Sequence, residues 1–294
     1  ALPALERAQS LQSAGAASPA PDISIYIEFA RFKANGEKTN DAKDLRRMLE
    51  AWTASGLNPT LQWGRVWTAL AWYDLRKNKL RIARASAANA EAAILAAAPE
   101  DYTRLAEAIV AGGASWLIAR PHFSSDILKA LKAFERAQRL FPLQNDVETF
   151  DPMLAKVIGW YGVAACALVA EQRSALIIKT PSDWPELPVF ARDADRKNCE
   201  IRWEAQPLPR LSGNPERVRF AAIIVGYAIG PDGRVQNDRI LSEIAAGYGE
   251  ELRTKNAMPY REASLKALRK WRAPLDLDES CRSDRIQSFA FFYD

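Results

Sequence analysis

Histidine occurs once in the 294 residues, at His122. A single imidazole excludes a multi-histidine metal site and confines any Ser-His or Cys-His dyad to that position. Cysteine is scarce too, with Cys166, Cys199 and Cys281 the complete set, which excludes a small disulfide-knotted scaffold. No uncharged apolar stretch reaches the roughly 18 residues of a membrane span. The longest apolar run, residues 157–170, reads as a buried core helix, with Cys166 an inert thiol inside it. An excess of charge of one sign is nearly absent: 40 basic residues against 36 acidic give +4, too dilute across the chain to argue for nucleic acid. What is there belongs to a folded protein, since 48% hydrophobic and 26% charged residues exclude global disorder and collagen. The length suggests about two domains.

The sequence begins Ala1-Leu2-Pro3, which fits either a trimmed boundary or removal of a signal peptide. Residues 1–22, rich in Ala, Ser and Pro, suit a mobile tail after a cleavage site. In an exported chain Cys199 and Cys281, each shortly before a strand-like segment, are candidates for a disulfide; two unpaired thiols are the alternative.

Residues 23–178 read as all-helical. Residues 23–33 are apolar on most sides and fit a helix or a strand. After Thr39 and Asn40 as candidate caps come Asp41 and Asp44, then Leu45, Met48, Leu49 and Trp52 at helical spacing. Helical patterns follow over 61–76, 80–97, 101–119, 124–140 and 152–172, separated by Pro99, Pro121 and Pro142. Pairs recurring at about 40 residues suggest a repeat array. Ala130, Phe134, Ala137 and Pro142 match the second-helix pattern of a tetratricopeptide repeat, with small residues at the crossing and an aromatic filling the gap. Glu91 stands where the preceding pair should carry its aromatic. This region therefore resembles a degenerate tetratricopeptide-like array, and an unrelated helical bundle is the alternative. Trp52, Trp63, Trp67, Trp72, Tyr73, Trp116, Trp160 and Tyr161 either line a peptide groove or pack between helices; Trp63 and Trp67, at i,i+4, fit packing.

Residues 179–198, with Pro181, Pro185 and Pro188, read as a linker. Residues 199–294 then change pattern to strand, turn, strand, helix, strand. Ile223, Val225, Tyr227 and Ile229 alternate on one face. Asp232-Gly233 is a hairpin signal, and Val235, Asn237, Arg239 and Leu241 return on one side. Tyr260, Ala263, Ala267, Leu268 and Trp271 make the stripe of an amphipathic helix. Residues 286–293 form a last strand. The opposite face of the first strand, Ala222, Ile224, Gly226 and Ala228, is small or apolar, so a helical region or a second copy is expected to cover it.

The ordered set Pro231-Asp232-Gly233-Arg234-Val235, Ile240-Leu241-Ser242, Ala267-Leu268-Arg269-Lys270-Trp271-Arg272 and Ser288-Phe289-Ala290-Phe291-Phe292 resembles the periplasmic C-terminal domain of the TonB energy-transducer family. The likeness covers under a third of the chain. It implies an antiparallel sheet with one helix across it. It also implies an edge strand that captures a short segment of an outer-membrane receptor by strand addition. Carried over, that edge is Ser288, Phe289, Ala290, Phe291, Phe292 and Tyr293, with Gln206 and Pro207 resembling the family's Gln-Pro element near the same partner. The membrane helix and long Pro-rich spacer of energy-transducing members have no counterpart here.

Catalysis has little support. His122 lies beside Ser124 and Ser125 but without a Gly-x-Ser-x-Gly elbow, and a surface or cap histidine is the simpler account. Gly112-Gly113 lacks a phosphate-loop lysine, and Glu250-Glu251 is a solvated acidic pair. The expectation is an α+β protein: a helical-repeat domain over 23–178 and a TonB-like domain over 199–294. It is expected to be exported to the periplasm and non-enzymatic, with no metal and no cofactor. Its expected partner is an outer-membrane TonB-dependent receptor or another envelope protein, not nucleic acid, and it reaches the membrane only through that partner unless an N-terminal anchor was removed. The alternative is a tetratricopeptide-like adaptor whose TonB-like domain is structural or makes a homodimer.

Overall fold

The computed structural model describes residues 21–121, 123–144, 146–174, 201–211, 220–246 and 257–292. The expected linker 179–198 lies outside them. Of the expected tail, residues 1–20 lie outside as well, and Pro21 already opens a helix. The chain divides into two compact units, residues 1–115 and 116–294. The class is α+β, mostly helical with a small antiparallel sheet.

The first unit contains α1 (Pro21–Ala34), α2 (Thr39–Ala54), α3 (Leu61–Arg76), α4 (Leu80–Ala97) and most of α5 (Tyr102–Ala119). The ambiguous segment 23–33 is thus helix, and its Ile25, Ile27 and Phe32 are buried. Phe32 meets Tyr73 edge-on at 5.5 Å. Trp63 and Trp67 are buried, which settles them as packing residues. Beside them Gly64 lets α3 and α4 approach: a Cβ there would lie 2.4 Å from Ile94 Cγ1. Thr39 is not the cap expected. Lys38 holds that position without a side-chain bond, and the Thr39 hydroxyl instead accepts from the Tyr73 hydroxyl at 3.0 Å. The Asp74 carboxylate is almost wholly buried and receives Arg46 at 2.5 Å. Burial pushes its carboxyl above the usual value, against the opposing pull of Arg46 and Lys79.

The second unit holds the end of α5, then α6 (Ser124–Gln138), α7 (Pro152–Ser174), β1 (Phe220–Ile229), β2 (Val235–Ala246), α8 (Met258–Leu268), a 3-10 turn (Glu279–Cys281) and β3 (Arg285–Phe292). Asp151 caps α7, accepting from the amides of Met153 and Leu154 at 2.7 and 3.2 Å. Ala130, Phe134 and Ala137 are fully buried on α6, and Phe134 stacks on Trp160 of α7 at 6.0 Å.

The sheet order is β2-β1-β3, antiparallel throughout. The central strand is covered on both sides. Ile223, Val225, Tyr227 and Ile229 share one cluster with Tyr260, Leu268, Trp271 and Phe289, as their alternation requires. Ala222 and Ile224 face α7, where Gly159 and Gly162 remove the side chains that would hold helix and sheet apart. A Cβ at Gly159 would lie 2.5 Å from Ile244 Cδ1, and one at Gly162 2.8 Å from Ser288 Oγ. The expected cover for this second face is therefore α7. Its apolarity belongs to that packing: Pro152–Ala170 is long and apolar enough to cross a membrane, at a mean hydropathy of 1.7, but half of that window is buried within the protein. The same packing groups α6 and α7 with the sheet, so the compact units divide elsewhere than the expected 23–178 and 199–294.

The hairpin turn forms as expected. Gly233, at φ 71°, donates its N–H to the Gly230 carbonyl at 3.0 Å, and the Asp232 carboxylate receives the Arg234 N–H. Beyond it the expected alternation fails. The β1–β2 register shifts between Ile224 and Val225 and again between Gly226 and Ala228. These bulges put Val235 and Ile240 against the α8-side cluster and turn Leu241 to the other face, toward Gly226.

Two outcomes test these contacts. Gly159→Val should lower unfolding stability by about 1–3 kcal/mol in urea denaturation, because the added atoms meet the sheet. Asp74 binds its proton more tightly folded than unfolded, so its stabilising share is present below the ordinary carboxylate value and fades as pH rises through the raised one. Relative to Asp74→Asn, the native chain should therefore lose stability as pH rises above about 4. Urea midpoints measured across that range check the sign.

Candidate functional site

The expected binding edge maps onto β3. Ser288 through Phe292 pair with Ile224 back to Phe220, and the register runs to Arg285 opposite Tyr227 without a break. Among the described residues β3 pairs on that side only. Tyr293 lies outside them.

Both outer strands of the sheet are edges, and they differ. β2 carries the two register shifts, a left-handed Asn237 at φ 53°, and charged side chains tied to α8. Arg261 pairs with Glu243, and Arg269 grips the Asp238 carboxylate with Nη2 at 2.9 Å and Nε at 3.2 Å. That hydrogen bond raises the Arg269 guanidinium above its usual value. Bulges and charges blunt a strand edge against pairing. β3 has neither a register shift nor an ion pair along Ile286–Phe291, so it is the regular edge.

The side chains of β3 are not presented outward as binding groups. Phe289 is buried on Trp271, ring centres 5.7 Å apart, and Phe291 meets Tyr260 at 5.0 Å. Ser288 and Ala290 point to α7 at Gly162. Of the phenylalanines expected along the edge, Phe289 is thus a core residue and Phe291 packs half-buried against the same cluster. What β3 has left to offer on its unpaired side is main-chain N–H and C=O.

Gln206 and Pro207 are exposed on a segment that runs beside the residues after α8. Glu204 donates its N–H to the Arg272 carbonyl, and Arg272 donates its own to Ala205, both at 2.9 Å. The Pro207 carbonyl accepts from Trp271 Nε1 at 3.1 Å. Pro207 therefore reaches β3 only through Trp271 and Phe289, and no hydrogen bond joins the two segments directly among the described residues. The residue the sequence reading missed is Trp203, 4.8 Å from Trp271 and 6.4 Å from Tyr227. Its alternation with Ile201 and Ala205 was the available signal.

Cys281 is buried at the end of the 3-10 turn and is disulfide-bonded. Cys199 lies outside the described residues. Cys166 is outside any disulfide and half-buried rather than enclosed. His122 and Glu250-Glu251 lie outside the described residues. Gly112 faces Ala87 Cβ, so it serves helix packing. Among the described residues no cluster of His, Cys, Asp and Glu suits a metal ion.

No family model matches the chain, and no curated protein matches it. Among solved structures, the crystal structure of BtubC (BKLC) from P. vanneervenii is similar at 18% identity and a TM-score of 0.44, covering 72% of this chain and 79% of that one. A TM-score of that size carries no argument about function.

The contacts of β3 and α8 predict unequal costs. Phe289→Ala should destabilise by about 3–5 kcal/mol, as an aromatic core truncation does. Arg269→Ala, at an exposed ion pair, should cost less than about 1 kcal/mol. Thermal unfolding of both variants checks the ranking.

Proposed function

We propose that this is an exported, non-enzymatic binding or scaffolding protein of the periplasm. Its C-terminal part resembles TonB, and it engages an outer-membrane transporter or another envelope protein by strand addition to β3. The observation that carries the reading is the contrast between the two sheet edges. β2 is bulged and laced with ion pairs, whereas β3 is regular, paired on one side among the described residues, and left with main-chain groups to offer. Strand addition draws its affinity from such groups and needs few side chains. With both side-chain faces of β3 committed to the protein's own core, any sequence preference rests on the incoming peptide's contacts with residues beside the strand. Gln206 and Pro207, in the family's place for a partner-facing element, are exposed for that role. Export also suits the half-cystine at Cys281, for which Cys199 is the proposed partner.

A second reading has its own support. The sheet is covered on both faces, by α7 and by α8, as a structural cap would be. On that reading the helices, as degenerate tetratricopeptide-like repeats, carry an adaptor function, and the buried Ala130, Phe134 and Ala137 fit a repeat's second helix.

Hydrogen exchange on the full chain separates the two. Synthetic peptides copying the N-terminal segments of outer-membrane transporters should slow alternate amides of residues 286–292 and leave β2 unchanged. Peptide binding without protection in β3, or no binding at all, refutes strand addition. A proline at Phe291 is the poorer test, since it also removes the ring that packs on Tyr260.

A further inference from the structure

Main-chain directions at the β3 edge follow from the hydrogen bonds at the end of β1. Ile229 donates its N–H to the Arg282 carbonyl, on the β3 side, and Gly230 donates to the Arg234 carbonyl, on the β2 side, both at 2.8 Å. Along a strand these directions alternate, so Tyr227, Val225, Ile223 and Ala221 bond toward β3. Their partners there are Arg285, Gln287, Phe289 and Phe291. Ile286, Ser288, Ala290 and Phe292 therefore turn N–H and C=O outward. The side chains of Ser288 and Ala290 face α7. The outward carbonyl of Ser288 accepts from the Gln287 side-chain amide at 2.8 Å, so a side chain does there what a strand's N–H does.

Helix α7 continues past this edge. Gly159 lies over Ala222 and Ile224 of β1 and Ile244 of β2, and Gly162 lies over Ser288 and Ala290 of β3. Those residues are level with one another, since Ala222 pairs with Ala290 and Ile244, and Ile224 with Ser288. Three residues of helix, about 4.5 Å of axis, carry α7 from β1 to the next strand, about 4.8 Å away. The helix thus crosses the strands, and it runs on from Gly162 to Ser174, roughly 18 Å further along its axis. Burial along its sheet-facing stripe falls in step. Ala155 and Gly159 are buried, Gly162, Cys166 and Ala170 are half-buried, and Val169 is 38% exposed. On the stripe that continues from Trp160, which packs on α6, Val163, Ala164, Ala167 and Leu168 stay buried over the same turns. What thins out beneath α7 is the sheet.

We infer that α7 roofs the strand added at β3 and selects a partner segment with glycine or alanine at the positions facing the helix. The inference rests on the strand-addition reading and supplies its specificity. Cys166 is about 6 Å along the axis from Gly162, one strand spacing on, so it stands over an added strand as Gly162 stands over β3. At Gly162 the approach is too close for a Cβ above Ser288. At Cys166 the helix has a side chain, so the residue beneath gives up the volume instead. Such residues recur at every second position of the segment, opposite Ser288 and Ala290. The intervening positions turn to the other face, where α8 packs chiefly on β1 and β2 and larger side chains fit. The occupant belongs to another protein. A second copy adding its own β3 antiparallel would bring its α7 onto the same face of the sheet, where the two overhanging helices collide.

Two synthetic peptides test it on the full chain, one alternating tyrosine with alanine and one alternating tyrosine with leucine, each ended with lysines. The alanine peptide should slow hydrogen exchange at the Ile286, Ser288, Ala290 and Phe292 amides. The leucine peptide should bind at least about tenfold more weakly, since its added volume meets the roof. Cys166→Leu should weaken the alanine peptide by a similar factor and Cys166→Ala should not, with an unchanged circular dichroism spectrum excluding misfolding. Equal protection by both peptides, or indifference to Cys166→Leu in a folded variant, overturns the roof and leaves strand addition standing. So does protection by the transporter peptides but by neither of these. Protection by no peptide refutes both readings. Slow exchange at these amides before any peptide is added assigns the place to a segment of this chain and overturns the inference.

Discussion

Strand β1 has no solvent side, and most of the second unit follows from that. Its residues alternate between a face shared with Tyr260, Leu268 and Trp271 and a face shared with α7. A strand in the middle of a three-stranded sheet has a neighbour on each side for its main-chain groups, so its side chains are what remains to be buried. One helix covers one face only. The second face stays apolar unless another layer reaches it, and α7 is that layer. The approach is close enough to require Gly159 and Gly162, because a methyl group at either would overlap the sheet. Two packed faces also explain why a helix with the apolarity of a membrane span belongs to the core here.

The same constraint decides what the sheet can offer a partner. With β1 buried twice over, the neighbouring strands take part in both layers as well. Phe289 and Phe291 go to the α8 side, and Ser288 and Ala290 go to the α7 side. Recognition at β3 is then a matter of main-chain hydrogen bonds, which are strong in geometry and weak in sequence preference. On the other margin, the two bulges and the ion pairs to α8 make β2 a poor template. The asymmetry between the edges arises from the hairpin, where the extra residues of β2 must be absorbed as register shifts.

Charge follows a parallel logic. The arginines that reach acids on β2 fasten α8 to the sheet, whereas the lysines one face further round stay in water with their charge unspent. A net charge of +4 does not show this sorting, since it counts residues without regard to which are paired.

Much of the local structure was legible in the sequence. The helices over 61–76 and 80–97, the Asp232-Gly233 turn, and the Tyr260-to-Trp271 stripe are short-range patterns, set by periodicities of 3.6 and 2 and by turn chemistry. The empty polar side of β1 was legible too, because small and apolar residues stood where water should be. What covered it was not, since a sequence records that a face must be buried and not which distant element buries it. The alternation on β2 misled for a related reason: a bulge shifts the faces, and its cost is settled by the partner strand. Thr39 was assigned to a cap because local bonding is the default for threonine, and only Tyr73, brought across from α3, redirected its hydroxyl. A last aromatic strand forms at the sheet margin, and its Phe289 and Phe291 turn toward Trp271 and Tyr260. Local sequence determined where each element begins, ends and shows its apolar side. The tertiary structure alone decided which apolar sides meet, because contacts between residues far apart in the chain depend on how every element packs at once.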